Sequence, residues 1–432
     1  MRSQKQNSVR TRTFATSVVL FVASALASQP VRAQTFKVLH TFHSKDGANP
    51  TGQFIWDGKG KLIGMTTNGG TGSCTLGPGC GTVFEMNISG KLLWSFSIKS
   101  YGDGFEPVGG VTRDAAGNLY ATTTYGGIIP CYQGDFLGCG TVFKLDAARE
   151  QTVLHRFKGP YNGHHDGWIP ELLLTRSAAG SLYGTTEWGG AGSATGGTVF
   201  KVTKSGKYKI VYSFPGPSVQ SIPWPGLLLR PDKSLYGGTA IGGAYQVGVA
   251  FSMTTRGTET VLYNFSGGAG PGGAVTILTA DNAGNLYGTA GGGSSNCGYG
   301  GCGTLFELLP DGDNWTEKTL YVFCPVAGCK DGEYPGRGPL VMDAAGSIYG
   351  VTDIGGDYSN CNGDACGVVF KLDPAGNETV LYSFTGGSDG AFPLGVIMDA
   401  KGSLYGAAGQ GGDLSCPGSN GHGCGVIFEI TP

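Results

Sequence analysis

Three observations predict an all-β fold, a seven-bladed β-propeller with four antiparallel strands in each blade. A short apolar strand ending on phenylalanine recurs at Phe84, Phe143, Phe200, Phe251, Phe306, Phe370 and Phe428, 51 to 64 residues apart. A period of this size marks a propeller, a solenoid or an array. Each copy carries four strand-like segments, which is the make-up of a propeller blade. The seventh copy lacks its last segment after Phe428, and a matching one, Val38-Leu39-His40-Thr41-Phe42, stands at the other end of the chain. Pairing that N-terminal strand (36–42) into the last blade closes the ring and removes exposed sheet edges. An open solenoid has no use for a divided unit.

The copy from Asp331 to Phe384 shows the parts in order. Residues 331–335 read as a loop, 339–343 as a short apolar strand A, and 343–347 as a tight turn in which Gly346 supplies positive φ. Residues 347–352 form strand B, 355–366 a long loop, 368–372 strand C, 373–377 a second tight turn and 379–384 strand D. Strand B recurs as Leu119-Tyr120-Ala121, Leu182-Tyr183-Gly184, Leu235-Tyr236-Gly237 and their equivalents, and strand D as 92–96, 153–157, 210–214, 261–265 and 320–323. Blades begin near Asp46, Asp103, Asp166, Val219, Gly270, Asp331 and Asp389. Because the strands alternate, the short A–B and C–D turns share one face. The long B–C and D–A loops share the other.

Residues 1–33 read as a secretory signal. Arg2, Lys5, Arg10 and Arg12 precede a mostly apolar run over 14–28, and Val31-Arg32-Ala33 offers small residues where a signal peptidase cuts. The single propeller domain then spans 34–432, with no later segment long and apolar enough to span a bilayer as a helix. Removing residues 1–33 takes away five basic residues and no acid, so the formal charge moves from −2 to −7. That balance disfavours nucleic acid, whose phosphates need a basic patch.

Twelve cysteines fall into six close pairs: Cys74/Cys80, Cys131/Cys139, Cys297/Cys302, Cys324/Cys329, Cys361/Cys366 and Cys416/Cys424. Even number, close spacing and a signal peptide point to disulfides and a secreted or cell-surface protein. Five pairs precede strand C, and Cys324/Cys329 lies in a D–A loop, so all six pin the long-loop face. Pairs dispersed around a ring are not expected to converge on a metal, and no metal or other cofactor is expected.

The pattern from Gly117-Asn118-Leu119-Tyr120 through Cys139-Gly140-Thr141-Val142-Phe143-Lys144-Leu145 to Val153-Leu154-His155-Arg156-Phe157 resembles the bacterial GloVer tandem repeat of exported "choice-of-anchor" proteins. The resemblance covers residues 36–431 in seven matches. It implies an exported repeat protein, free or at the cell surface, and carries no particular activity. The blade grammar is more distantly similar to NHL-type propeller repeats.

Repeats permit an internal comparison: what recurs is framework, and what differs at equivalent places is a candidate for function. Asp-Gly followed by proline recurs as Asp46-Gly47/Pro50, Asp103-Gly104/Pro107, Asp166-Gly167/Pro170, Asp331-Gly332/Pro335 and Asp389-Gly390/Pro393. It reads as turn chemistry. Phe105, Trp168, Trp224, Tyr334 and Phe392 fall in the D–A loops, and Tyr125 and Trp188 precede the Gly-Gly of two B–C loops. These seven aromatics are the candidate ligand contacts, for stacking on sugar rings or anchoring a protein. The competing reading packs them between blades. His164-His165-Asp166 reads as a solvated loop. Gly386-Gly387-Ser388-Asp389-Gly390 and Gly298-Tyr299-Gly300-Gly301-Cys302-Gly303 match a nucleophile elbow and a dinucleotide turn only literally, because strands rather than helices follow them.

No catalytic residue emerges. The expected role is a secreted, monomeric, non-enzymatic propeller binding extracellular glycan or protein through its disulfide-pinned face. The alternative is a propeller enzyme, a lyase or hydrolase acting on polysaccharide or on a small ester or lactone. A quinoprotein-type dehydrogenase is suggested only by the segment around Trp94.

Overall fold

The computed structural model describes residues 34–432 except 75–78, 129, 132–136, 161–164, 192–195, 217–219, 274, 298–300, 337, 357–365 and 418–420, and only the backbone of 171–172, 220–221 and 224–225. Residues 34–432 form one compact unit. The signal-like segment 1–33 lies outside the described residues.

Seven antiparallel sheets make a seven-bladed β-propeller. Blade 6 is representative. Its strand A runs in two pieces, Glu333–Pro335 and Val341–Met342, followed by Ile348–Ile354 (B), Val368–Leu372 (C) and Glu378–Ser383 (D). Blade 7 takes strands A to C from Ala391–Met398, Leu404–Gln410 and Val426–Thr431. Its strand D is Thr35–Thr41, paired antiparallel to Val426–Thr431 from Thr35↔Thr431 to Thr41↔Val426. The chain's first described strand therefore closes its last sheet. The described residues hold no α-helix, only two single 3-10 turns at Tyr101–Asp103 and Ser295–Cys297.

A ring of phenylalanines holds the blades together. The buried Phe that follows strand D of one blade meets the strand-C Phe of the next. The ring centroids are 5.3 Å apart for Phe42–Phe84, 5.2 Å for Phe157–Phe200, 5.4 Å for Phe214–Phe251, 5.0 Å for Phe265–Phe306, 5.1 Å for Phe323–Phe370 and 5.2 Å for Phe384–Phe428. Their steep interplanar angles suit the aromatic quadrupole. Between blades 1 and 2 the first partner is Ile98, clustered with Phe143. The same rings explain the glycine of Leu-Tyr-Gly. A Cβ at Gly350 would lie 2.7 Å from Phe370 Cζ, and one at Gly406 2.3 Å from Phe428 Cζ.

Two expectations need correcting. Strand A starts earlier than predicted, because Glu333–Pro335 pairs with strand B where a loop was expected. In blade 1, Val83 pairs with Phe96 as Val142 pairs with His155. The residue equivalent to the recurrent strand-D Phe is therefore Ile98, whose N–H bonds Gly81 O as Phe157 N–H bonds Gly140 O. Phe96 itself takes the aromatic place two residues earlier. A β-bulge is the source of the confusion. The register slips by one residue in strand D, between Val153 and His155 in blade 2 but between Leu92 and Trp94 in blade 1, and breaks the alternation that sequence reading relies on.

Candidate functional site

The long-loop face is built from the Asp-Gly-x-z-Pro segment that opens strand A. The aspartates are occupied within the framework. Asp46 accepts from His40 Nε2 at 2.9 Å and from the His43 N–H at 2.8 Å. Asp331 accepts from the Tyr321 hydroxyl and the Cys324 N–H, both at 2.9 Å, and Asp389 from the Tyr382 hydroxyl and the Thr385 N–H, both at 2.9 Å. In each case the carboxylate ties the new strand A to strand D of the blade before. Burial pushes the Asp46 carboxyl up, but the bonds from His40 and His43 outweigh it and hold the group below the usual range. Asp166 is bound by His155 Nε2 at 3.0 Å. His165 beside it is exposed, and His164 lies outside the described residues.

Position z, directly before the proline in six blades and before Ala274 in blade 5, adopts positive φ throughout. The values are +56° at Asn49, +54° at Glu106, +54° at Ile169, +56° at Ile222, +53° at Tyr334 and +56° at Phe392, with Gly273 at +76° in blade 5. L-residues rarely hold this conformation, β-branched ones least of all. Here it turns the z N–H toward the preceding blade: Tyr334 N–H reaches Cys302 O at 2.7 Å, Asn49 Cys424 O at 2.8 Å, Phe392 Cys366 O at 2.9 Å and Ile169 Cys139 O at 3.2 Å. Next to those acceptors stands the Gly that opens strand C, where a Cβ at Gly140 would meet Pro170 Cδ at 2.5 Å and one at Gly367 would meet Pro393 Cδ at 2.5 Å. The Cys-Gly of one blade and the z-Pro of the next are thus one joint.

Against this frame the seven predicted aromatics divide into separate classes. Phe105 and Trp168 occupy position x, Tyr334 and Phe392 position z, and Trp224 follows its proline. They lie on strand A or in its bridge to strand B, not in free loops. Tyr125 and Trp188 are the strand-B partners of Phe105 and Trp168. The Phe105 and Tyr125 rings are 5.5 Å apart, and those of Trp168 and Trp188 6.2 Å, both inclined at 31°. Two neighbouring blades thus carry the same cross-strand aromatic pair. Phe105 is only 1% exposed and sits in the core, so its ring face is not offered to solvent. Tyr125, Trp168, Trp188 and Phe392 are half-buried, and Tyr334 is exposed. The backbone of Trp224 pairs with Gly238. The z residues Asn49, Glu106, Ile169 and Ile222 were missed. Their sequence signal is variation at a fixed offset before a recurrent proline. Among them, burial raises the Glu106 carboxyl above its ordinary range.

The disulfides Cys74–Cys80, Cys131–Cys139, Cys297–Cys302, Cys324–Cys329 and Cys416–Cys424 form as paired in the sequence. Cys366 is disulfide-bonded, and Cys361 lies outside the described residues. The expectation that dispersed pairs cannot converge is overturned at one place. The sulfurs of Cys297, Cys302, Cys324 and Cys329 all lie within 4.8 Å of one another. The D–A loop of blade 5 folds back onto the B–C loop of the same blade. Among the described residues this is the one group of three or more cysteine, histidine or acidic side chains close enough to hold a metal.

Comparison with known proteins gives one sequence family. The model of the Gloeobacter/Verrucomicrobia repeat matches residues 28–191, 129–299 and 292–432. No curated protein matches the chain. Among solved structures, a candidate 6-phosphogluconolactonase from Bacteroides uniformis is similar at 15% identity and a TM-score of 0.50, over 81% of this chain and 88% of that one. PorZ, a surface component of the type-IX secretion system of Porphyromonas gingivalis, is similar at 11% identity and a TM-score of 0.46, over 89% of this chain and 46% of that one. A gluconolactonase from Xanthomonas campestris is similar at 12% identity and a TM-score of 0.41, over 92% of this chain and 89% of that one. At such identities the likeness concerns the fold alone.

Proposed function

The chain belongs to the Gloeobacter/Verrucomicrobia repeat family, and from that premise we propose that it is an exported, monomeric binding module that takes an extracellular glycan or protein on its long-loop face, without catalysis. The supporting observation is where apolar surface is left uncovered. Five of the eight large hydrophobic residues exposed among the described residues, Ile128, Tyr245, Val326, Tyr334 and Leu414, belong to that face. Tyr245 is 61% exposed and Val326 74%. Beside them, the half-buried Trp168–Trp188 pair presents aromatic surface of the kind that stacks on sugars or anchors a partner. Disulfides and inter-blade bonds fix the loops beforehand, which limits the ordering cost of binding. Export rests on the disulfides and on residues 1–33 acting as a signal, so the secreted chain is expected to begin near Gln34.

The test is a glycan array and a pull-down from extracellular protein with the oxidised, full-length mature chain. Trp188→Ala and Tyr245→Ala are compared with Leu93→Ala, a change at a residue exposed on an outer strand. The two loop-face changes are expected to weaken binding tenfold or more with little change in melting temperature, and the outer-strand change to leave binding intact. Equal binding by all three variants would sink the reading. So would turnover of a sugar lactone or polysaccharide by the unmodified protein.

A further inference from the structure

The repeat explains five cysteine pairs, each just before strand C. It does not explain the sixth. Cys324/Cys329 occurs in a D–A loop of one blade only, and it lies against that blade's own Cys297–Cys302. The two disulfides touch through Cys297 and Cys329, whose sulfurs are 3.7 Å apart. That separation is a contact distance between sulfur atoms. Backbone and side-chain bonds hold the two loops in this arrangement. Asn296 Nδ2 donates to Cys324 O at 2.9 Å, and the Tyr334 hydroxyl donates to Cys297 O at 3.0 Å. The Cys302 N–H bonds Ser294 O at 3.1 Å, and Cys329 O accepts from the N–H groups of Gly332 and Gly356 at 3.0 and 2.9 Å. Access is asymmetric: Cys302 and Cys324 are fully buried, Cys329 nearly so, and Cys297 is half-buried.

From this geometry we propose that the four cysteines are a thiol–disulfide exchange site that takes two electrons from an exogenous dithiol. Exchange requires a thiolate to reach a disulfide sulfur, and access decides which sulfur is attacked. An incoming dithiol thiolate attacks Cys297 Sγ. It forms a mixed disulfide there and releases Cys302 as a thiolate that takes up a proton. The second thiol of the reagent, as its thiolate, attacks the mixed disulfide, leaves as a cyclic disulfide and frees the Cys297 thiolate. That thiolate then attacks Cys329 Sγ, forming Cys297–Cys329 and expelling Cys324, which is protonated in turn. The dithiol is oxidised by two electrons. The protein goes from two disulfides to one, with thiols at Cys302 and Cys324. The last step is intramolecular between sulfurs already in contact, so it outruns a second encounter with reagent. A tetrathiolate metal site would need both bonds reduced at once, with the Asp331 carboxylate bonded to the Cys324 N–H beside it. The exchange needs only one bond opened.

The experiment treats the oxidised, full-length mature protein with one equivalent of dithiothreitol, quenches with iodoacetamide and maps cysteines by mass spectrometry without further reduction. A Cys297–Cys329 cross-linked peptide should dominate the singly reduced chains, with Cys302 and Cys324 alkylated. In the double variant C324S/C329S the same treatment should alkylate Cys297 and Cys302. Recovery of intact Cys324–Cys329 beside alkylated Cys297 and Cys302 in the unmodified protein would overturn the exchange step. Opening of Cys324–Cys329 first would overturn the assignment of Cys297 as the entry sulfur. The mapping on the unmodified chain decides both points even if the variant does not fold.

Discussion

Glu378 shows what a single side chain contributes in this packed ring. It opens strand D of blade 6, and its buried Oε1 finds no hydrogen-bond partner. Burial first, and then the nearby Asp331 carboxylate, push its pKa from 4.5 up to about 7. A carboxyl raised in the folded state favours folding only while protonated. Its penalty is absent below pH 4.5, grows between pH 4.5 and 7, and is full above. Glu378→Gln should therefore leave stability unchanged at pH 4 and raise it at pH 8 by about 1 kcal/mol, discounted for solvent screening of a partly exposed group. Urea unfolding at the two pH values checks this. Position z offers a second test at the same scale. Gly273 has open space around its Cβ site but φ of +76°, so Gly273→Ala should cost about 1 kcal/mol from backbone strain alone. At this scale the sequence was least legible. Tyr334 and Phe105 looked alike as aromatics after Asp-Gly, yet they stand one residue apart about a positive-φ kink. One is exposed and the other is core.

At the level of strands and loops most of the architecture could be read, because glycine, proline and phenylalanine recur from blade to blade for steric reasons. Strand-B glycine clears room for the strand-C Phe, and the Cys-Gly step seats the next blade's proline. What misled was local irregularity: the bulge in strand D and the kink in strand A both break two-residue alternation. The meeting of Cys297–Cys302 with Cys324–Cys329 was hidden for another reason. It depends on two loops of one blade folding together, which no repeat pattern announces. Two predictions belong here. Phe323→Ala, at the joint between blades 5 and 6, should cost about 3–5 kcal/mol by denaturant unfolding, as for other buried aromatics. Replacing Cys131 and Cys139 together by Ser should cost about 2–3 kcal/mol, the chain-entropy value for so short a loop. The difference between the two proteins should vanish when both are measured under full reduction.

For the molecule as a whole, the decisive bond is between its two ends. Thr35–Thr41 completes the sheet that Val426–Thr431 would otherwise leave open. Phe36 stacks on Tyr382 of the neighbouring blade at 3.6 Å and also packs against Phe384 and Phe428. Deleting residues 34–42 should uncover the edge of Val426–Thr431 and produce soluble aggregates visible by size-exclusion chromatography, because an unpaired strand edge recruits other chains. The clasp also sets a timetable. If the chain leaves the cell amino end first, Thr35–Thr41 emerges with the first blade and waits until Val426–Thr431 follows before it finds its partner. No intermediate length of polypeptide satisfies both. Synthesis stopped before Val426–Thr431 would leave a string of nearly finished sheets and no finished circle.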